Sequence, residues 1–274
     1  MLLQKSIGFI GAGQMASALG GGFVRAGVVT SSGLYAYDVS EDALAKFTQT
    51  VGGTVCESLR ELVQKSDIVF LAVKPQQIYD VLEALEDMEK TSKLFVSIAA
   101  GVMLRDLADH LGWKTPMVRV MPNTPCLIGS GASGFCASES VSETEIQMVR
   151  TLLETVGIAV RVPEHLLDAI TGLSGSGPAF GYVMIEAMSD AGVRLGLPRD
   201  TATKLAAQTL KGAAEMVLQT GGHPGVLKDR VASPGGTTIA GLVALEDAGL
   251  RSALISAVVA AARRAEELQR PVGD

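Results

Sequence analysis

The string "SIGFIGAGQMASALGGGFVRAG" constrains this chain more than any other. A short β-type run, Ile7–Ile10, turns on Gly11 and Gly13 into a helical pattern, and Ala16 completes the spacing Gly11-x-Gly13-x-x-Ala16. Gly11 permits a tight turn, Gly13 lets a backbone approach a pyrophosphate, and Ala16 is small enough for a helix to pack on its strand. The helix start offers free N–H groups and a positive dipole end to phosphate. This reads as the first unit of a dinucleotide-binding sheet. A second apolar run, Leu34–Tyr37, ends at Asp38. A carboxylate there either accepts the adenosine ribose hydroxyls and repels a 2′-phosphate, or caps the helix expected over 41–50, with Ser40 as the rival cap.

The alternation continues. Strands are expected in "DIVFLAVKP" (67–75), "LFVSIAAG" (94–101) and "MVRVMPNTP" (117–125), with helices over 58–65, 76–88 and 104–111. Strands alternating with helices predict a parallel, doubly wound sheet whose ligands lie beyond the carboxyl ends of the strands. "VKP", "AAG" and "MPNTP" fall at such ends, so Lys74 and Asn123 are candidate cofactor contacts. The stretch "GASGFCAS" (131–138) precedes a helix over 142–156 and a last strand over 158–162. Pro163 then marks a break, and every long segment from Glu164 onward is helical. Apolar stripes at Ala202, Leu205, Ala206, Leu210, Ala213 and Val217, and again from Leu250 to Leu268, have helical spacing. The expected domains are therefore 1–163, α/β, and 164–274, all-helical. With only 4% aromatic residues to fill a core, these alanine-rich helices are expected to pack against those of another subunit.

Composition removes other classes. A net charge of -6 lacks the basic footprint of nucleic-acid binding. No apolar run reaches the length of a membrane span, and the stretch before Ser6 is too short for a targeting peptide, which predicts a cytoplasmic protein. Cys56, Cys126 and Cys136 are far apart, and His110, His165 and His223 are isolated, so reduced thiols and no metal are expected.

One loop stands apart. "VASPGGTTIAG" (231–241) has no acid, base or metal ligand near neutral pH, yet sets two threonines behind a Pro-Gly-Gly turn. Such a turn entering a helix presents backbone N–H groups to an anion. Together with "DAITGLSGSGPAF" (168–180), "HPGVLKDRV" (223–231), "AVKP", "SIAAG" and "RVMPNTP", it closely resembles the pyrroline-5-carboxylate reductases over nearly the whole chain. The resemblance implies a Rossmann domain followed by a helical dimerisation domain. It also implies reduction of 1-pyrroline-5-carboxylate to L-proline with NADPH or NADH, the last step of proline biosynthesis, in dimers that can associate into decamers.

Carried over by residue, the resemblance gives the pyrophosphate to Ile10, Gly11, Ala12, Gly13, Gln14 and Met15. Ala72, Val73, Lys74 and Pro75 take the nucleotide and nicotinamide side, and Ala99, Ala100 and Asn123 the nicotinamide. Ser233, Gly235, Gly236, Thr237 and Thr238 receive the substrate carboxylate and ring nitrogen, with Glu164 near the same pocket and Thr238 as the catalytic contact. Gly175 and Gly177 let their helix approach the nicotinamide and the partner subunit. Many members of the family hold a 2′-phosphate with serine or basic residues after the second strand. Here "YDVSED" has no basic residue before Lys46, and Asp38 leans toward acceptance of NADH. A β-hydroxyacid dehydrogenase shares the two-domain plan, but its catalytic lysine position is Gly181 here. A non-catalytic nucleotide sensor has no use for "SPGGTT".

Overall fold

The computed structural model describes residues 3–268; the outermost parts of the two expected domains lie outside the described residues. Residues group into two compact units, Met1–Ser176 with Val259–Asp274, and Gly177–Val258.

The first unit is built on β1 (Ile7–Ile10), β2 (Leu34–Tyr37), β3 (Thr54–Val55), β4 (Ile68–Leu71), β5 (Leu94–Ser97), β6 (Met117–Met121), β7 (Gly131–Ala137) and β8 (Gly157–Arg161). Their order is β3-β2-β1-β4-β5-β6-β7-β8, so the chain reverses direction across the sheet between β1 and β4. Helices α1 (Gln14–Arg25), α2 (Glu41–Val51), α3 (Leu59–Lys65), α4 (Ile78–Leu85), α5 (Leu104–Leu111) and α6 (Glu143–Glu154) accompany the strands. Successive strand residues face opposite sides, and two cores result. Phe9, Phe23, Phe47 and Phe70 belong to one, with ring centroids 5.0 Å apart for Phe9 and Phe70. Ile10, Leu62, Leu71 and Phe95 belong to the other.

The expectation of a wholly parallel sheet needs correction. The stretch 131–137, left without an element by the alternation rule, is β7, and it pairs antiparallel with β6. No helix separates β6 from β7, only the short 3-10 segment Thr124–Ile128, and a right-handed parallel crossover needs a longer connection. β3 is not predicted from the sequence, because two residues carry no periodicity.

After β8 come α7 (Leu167–Ile170) and a π-helical turn, Thr171–Gly175. The second unit holds α8 (Gly177–Arg194), α9 (Arg199–Thr220), α10 (Pro224–Arg230), α11 (Thr237–Asp247) and the start of α12 (Leu250–Leu268). In α9, Ala202 and Ala206 are buried, and Ser189 of α8 meets Thr203 at 2.8 Å between hydroxyls. Six of the seven phenylalanines are spent in the first unit. Tyr182, Val183, Leu195, Leu205, Met216 and Leu218 of the second unit are all exposed. An apolar surface of that extent marks an association face. Among the described residues, no helix is long and apolar enough to cross a membrane.

Candidate active site

The glycine loop between β1 and α1 is tied down on both sides. Gly11 N donates to Tyr37 O at 2.8 Å, and Ala72 N donates to Ile10 O at 2.7 Å. Gly11 has φ +95°, and a Cβ there would lie 2.7 Å from the Ala72 carbonyl carbon and oxygen, so only glycine passes. Gly13 differs: a Cβ there would meet no atom within 4 Å. Gly13 is the N-cap of α1 and supplies no side-chain cap, so the first-turn N–H groups lack side-chain partners from the cap. Gly13 and Gln14 are exposed, Met15 is half-buried, and Ala16 is fully buried against the sheet. This cradle fits a dinucleotide pyrophosphate.

Asp38 is not the cap of α2. Ser40 is, its hydroxyl accepting from Ala43 N at 3.3 Å. The Asp38 carboxylate instead accepts from Ala12 N at 2.7 Å and from Ser40 N at 2.9 Å.

Beyond β4 and β5, still within the first unit, lies a cleft of ≈ 940 Å³. Pro75 and Ala100 line it, together with Tyr79, Thr171, Ser176 and Arg264. Burial, and then the nearby Asp106, raise the Tyr79 phenol above its ordinary pKa, which keeps it protonated. The other expected cofactor residues divide. Ala72 and Val73 are half-buried and pack against the two cores, and Lys74 is exposed at the start of the short helical turn Pro75–Gln77. Ala99 is only 2% exposed, whereas its neighbour Ala100 faces the cleft. The Asn123 amide is buried and engaged at both ends. Its nitrogen donates to Ser174 O at 3.0 Å, and its oxygen accepts from Ala132 N at 2.9 Å. It thereby joins the end of β6 to the start of β7 and to the π-turn.

Glu164 belongs to a half-buried ionic group in the first unit, around the buried Arg119. Its Oε1 accepts from Leu104 N at 2.7 Å, at the start of α5, and from Arg119 Nη1 at 3.2 Å. Arg119 Nη2 is 3.9 Å from Asp168. Cys136, opposite Arg119 in the sheet, has its thiol pushed up to about 12, by burial first and by the charge of Glu164 second. Sequence reasoning assigns Arg119 no role. Its signal was a lone charge inside the apolar run "MVRVM", where only a partnered side chain is tolerated.

Ser233, Gly235, Gly236, Thr237 and Thr238 lie in the second unit. Gly236 N donates to Ser233 O at 3.0 Å, and Gly235 takes φ +67°, so the chain turns sharply into α11. Gly236 is the N-cap and offers no side-chain cap, leaving the first N–H groups of α11 without a partner from the cap. Thr237 is exposed and Thr238 half-buried. The loop thus sets three hydroxyls, those of Ser233, Thr237 and Thr238, beside helix-start amides of the kind that suit an anion.

Comparison with known proteins identifies the family. The family described as "Pyrroline-5-carboxylate reductase dimerisation" matches residues 164–268, and "NADP oxidoreductase coenzyme F420-dependent" matches residues 6–101. The chain is 47% identical to the pyrroline-5-carboxylate reductase of Methanosarcina acetivorans over 265 residues, which cover 97% of this chain and 98% of that protein. The structure of a pyrroline-5-carboxylate reductase from Coxiella burnetii is similar with a TM-score of 0.92 and 36% identity, covering 98% of this chain and 100% of that one. The Plasmodium falciparum pyrroline carboxylate reductase with NADP bound gives 0.88 and 34%, over 98% of this chain and 100% of that one. With its glycine cradle, its "SPGGTT" turn and these relatives, the chain belongs to the pyrroline-5-carboxylate reductase family.

Proposed function

We infer that this chain carries out the reaction of its family with its own residues in the roles the sequence suggests. It reduces the cyclic imine 1-pyrroline-5-carboxylate to L-proline. When bound, NAD(P)H supplies the hydride for the imine carbon, and the ring nitrogen brings its own proton as an iminium. No strong general acid is then required, and the residues act by positioning. Ser233, Gly235, Gly236 and Thr237 hold the substrate carboxylate on the amides of α11, and the Thr238 hydroxyl contacts the ring nitrogen. The observation that carries this reading is the α11 N-terminus, entered through Gly235 and Gly236 with no side-chain cap.

Residues 1–163 bind the dinucleotide, and 164–274 carry substrate binding and dimerisation. The pyrophosphate lies on the loop from Ile10 to Met15, with Ala72, Val73, Lys74 and Pro75 beside the nucleotide. Ala100 faces the nicotinamide, with Ala99 and Asn123 supporting that end from beneath. Asp38, a carboxylate at the end of β2, favours ribose hydroxyls over a 2′-phosphate, so NADH is an efficient donor. Dimers associate further into decamers, and the protein works in the cytoplasm. The test is oxidation of NADH and of NADPH, followed by loss of reduced-nicotinamide absorbance, with pyrroline-5-carboxylate as substrate. Oxidation of 3-hydroxyisobutyrate in place of imine reduction overturns the assignment.

A further inference from the structure

Asp38 engages the glycine loop directly, and that contact has consequences separate from any contact with ribose. The β1–β2 ladder ends at the Ile10 and Tyr37 pair. One residue further, Gly11 N still reaches Tyr37 O at 2.8 Å. At the next residue the Asp38 side chain takes over from the main chain, and Ala12 N donates to its Oδ2 at 2.7 Å. Ala12 is only 2% exposed, so its amide has little access to water if this partner is lost. The second carboxylate oxygen accepts from Ser40 N at 2.9 Å, and Ser40 caps α2. One carboxylate therefore joins the glycine loop to the start of the helix after β2. Bonds from amides to an ionised carboxylate are about twice as strong as neutral ones.

We propose that Asp38 is a positioning residue for the pyrophosphate cradle. By holding Ala12 N it fixes the loop so that the uncapped amides at the start of α1 face the pyrophosphate, for NADH and NADPH alike. The proposal rests on the dinucleotide site argued above. Each carboxylate oxygen keeps a further acceptor site, so contact with ribose hydroxyls is compatible with the clamp but is not its basis. A neutral isostere cannot replace the carboxylate. In Asp38→Asn the amide has one oxygen, and in either orientation its NH2 group meets a backbone donor, Ala12 N or Ser40 N. A serine has one hydroxyl and a shorter reach. Asp38→Ser therefore shifts the ratio of NADPH to NADH use upward while affinity for both falls.

The experiment compares wild type and Asp38→Asn in fluorescence titrations with NADH, NADPH and an NADH analogue lacking both hydroxyls of the adenosine ribose. The clamp predicts weaker binding of all three by a similar factor, roughly tenfold or more. If the loss disappears with the dideoxy analogue, or if only NADH weakens while NADPH binds as well as before, Asp38 reads ribose alone and the proposal is overturned. Amide hydrogen exchange on cofactor-free wild type supplies an arm that needs no variant. The clamp predicts a protected Ala12 amide, and rapid exchange there overturns it. Failure of the enzymatic reading is a separate result: wild type then shows no imine-dependent oxidation of NADH.

Discussion

The guanidinium of Arg119 stands 3.2 Å from the carboxylate of Glu164, and the same carboxylate oxygen takes the Leu104 amide at 2.7 Å. A β-strand, a helix start and the segment after β8 meet at that one oxygen. The Arg119 side chain is 5% exposed and that of Glu164 is 25% exposed. Breaking a buried pair from one side leaves an uncompensated charge. Arg119→Met leaves a partly exposed carboxylate that still holds the Leu104 amide, and is expected to destabilise by about 1–2 kcal/mol, read as a lower thermal midpoint. Glu164→Gln keeps an oxygen for Leu104 N but leaves the buried Arg119 guanidinium without that carboxylate, and is expected to cost about 2–3 kcal/mol. Melts of both variants indistinguishable from wild type refute the structural role. A raised KM for the imine in Glu164→Gln, without a lower melting point, identifies a substrate contact instead.

Two glycines of one motif are expected to fail differently. Gly11→Ala forces a Cβ to within 2.7 Å of backbone at Ala72, with φ at +95°, and is expected to lower the melting point. Gly13→Ala meets open space and φ -72°. It is expected to melt like wild type but to bind NADH at least about tenfold more weakly, because the methyl occupies the approach of the pyrophosphate. Melting curves and NADH titrations on both variants check this, and unimpaired binding by Gly13→Ala counts against the cradle.

Thr238→Ala is expected to lower kcat/KM for the imine about five- to 150-fold, corresponding to roughly 1–3 kcal/mol for a lost hydrogen-bond partner. Thr238→Ser is expected to retain most activity. NADH affinity is expected to change little in either. Steady-state kinetics on folded protein decides: equal behaviour of the two variants excludes the hydroxyl as the contact.

All three cysteines are buried, and burial raises each thiol. The thiolate is the reactive form. With a pKa of about 12, Cys136 is about one part in ten thousand thiolate at pH 8. Native protein is expected to resist a thiol-specific disulfide reagent at that pH, and denatured protein to react at three sites. Above the ordinary thiol pKa the unfolded chain loses these protons while the folded chain keeps them. Stability contributed by the thiols is therefore complete below about pH 8.5 and falls as pH rises toward 12. Fast labelling of Cys136 in folded protein contradicts the burial.

The exposed apolar side chains of α8 and α9 call for a partner copy. Light scattering at micromolar concentration is expected to give at least twice the 28.4 kDa chain mass. A monomer at that concentration overturns the assignment of this face.

Much of this protein was legible in the chain because the relevant physics is local. Gly11 and Gly13 announced the cradle because a turn and a close approach restrict the residue type at the position itself. Apart from the two-residue β3, the strand and helix alternation as far as β6 followed from apolar runs and their punctuation. "SPGGTT" marked a helix entered without a cap. What tertiary structure alone decided was pairing across distance. Asp38 was legible as a carboxylate at a strand end, but its bond to Ala12 depends on where β2 lies beside β1. Asn123 was visible as a polar residue beyond β6, whereas its two partners, Ala132 and Ser174, are set by the antiparallel β7 and the π-turn. Arg119 and Glu164 are 45 residues apart in sequence. A side chain's type limits what it can bind, but which donor or acceptor reaches it is determined by the fold.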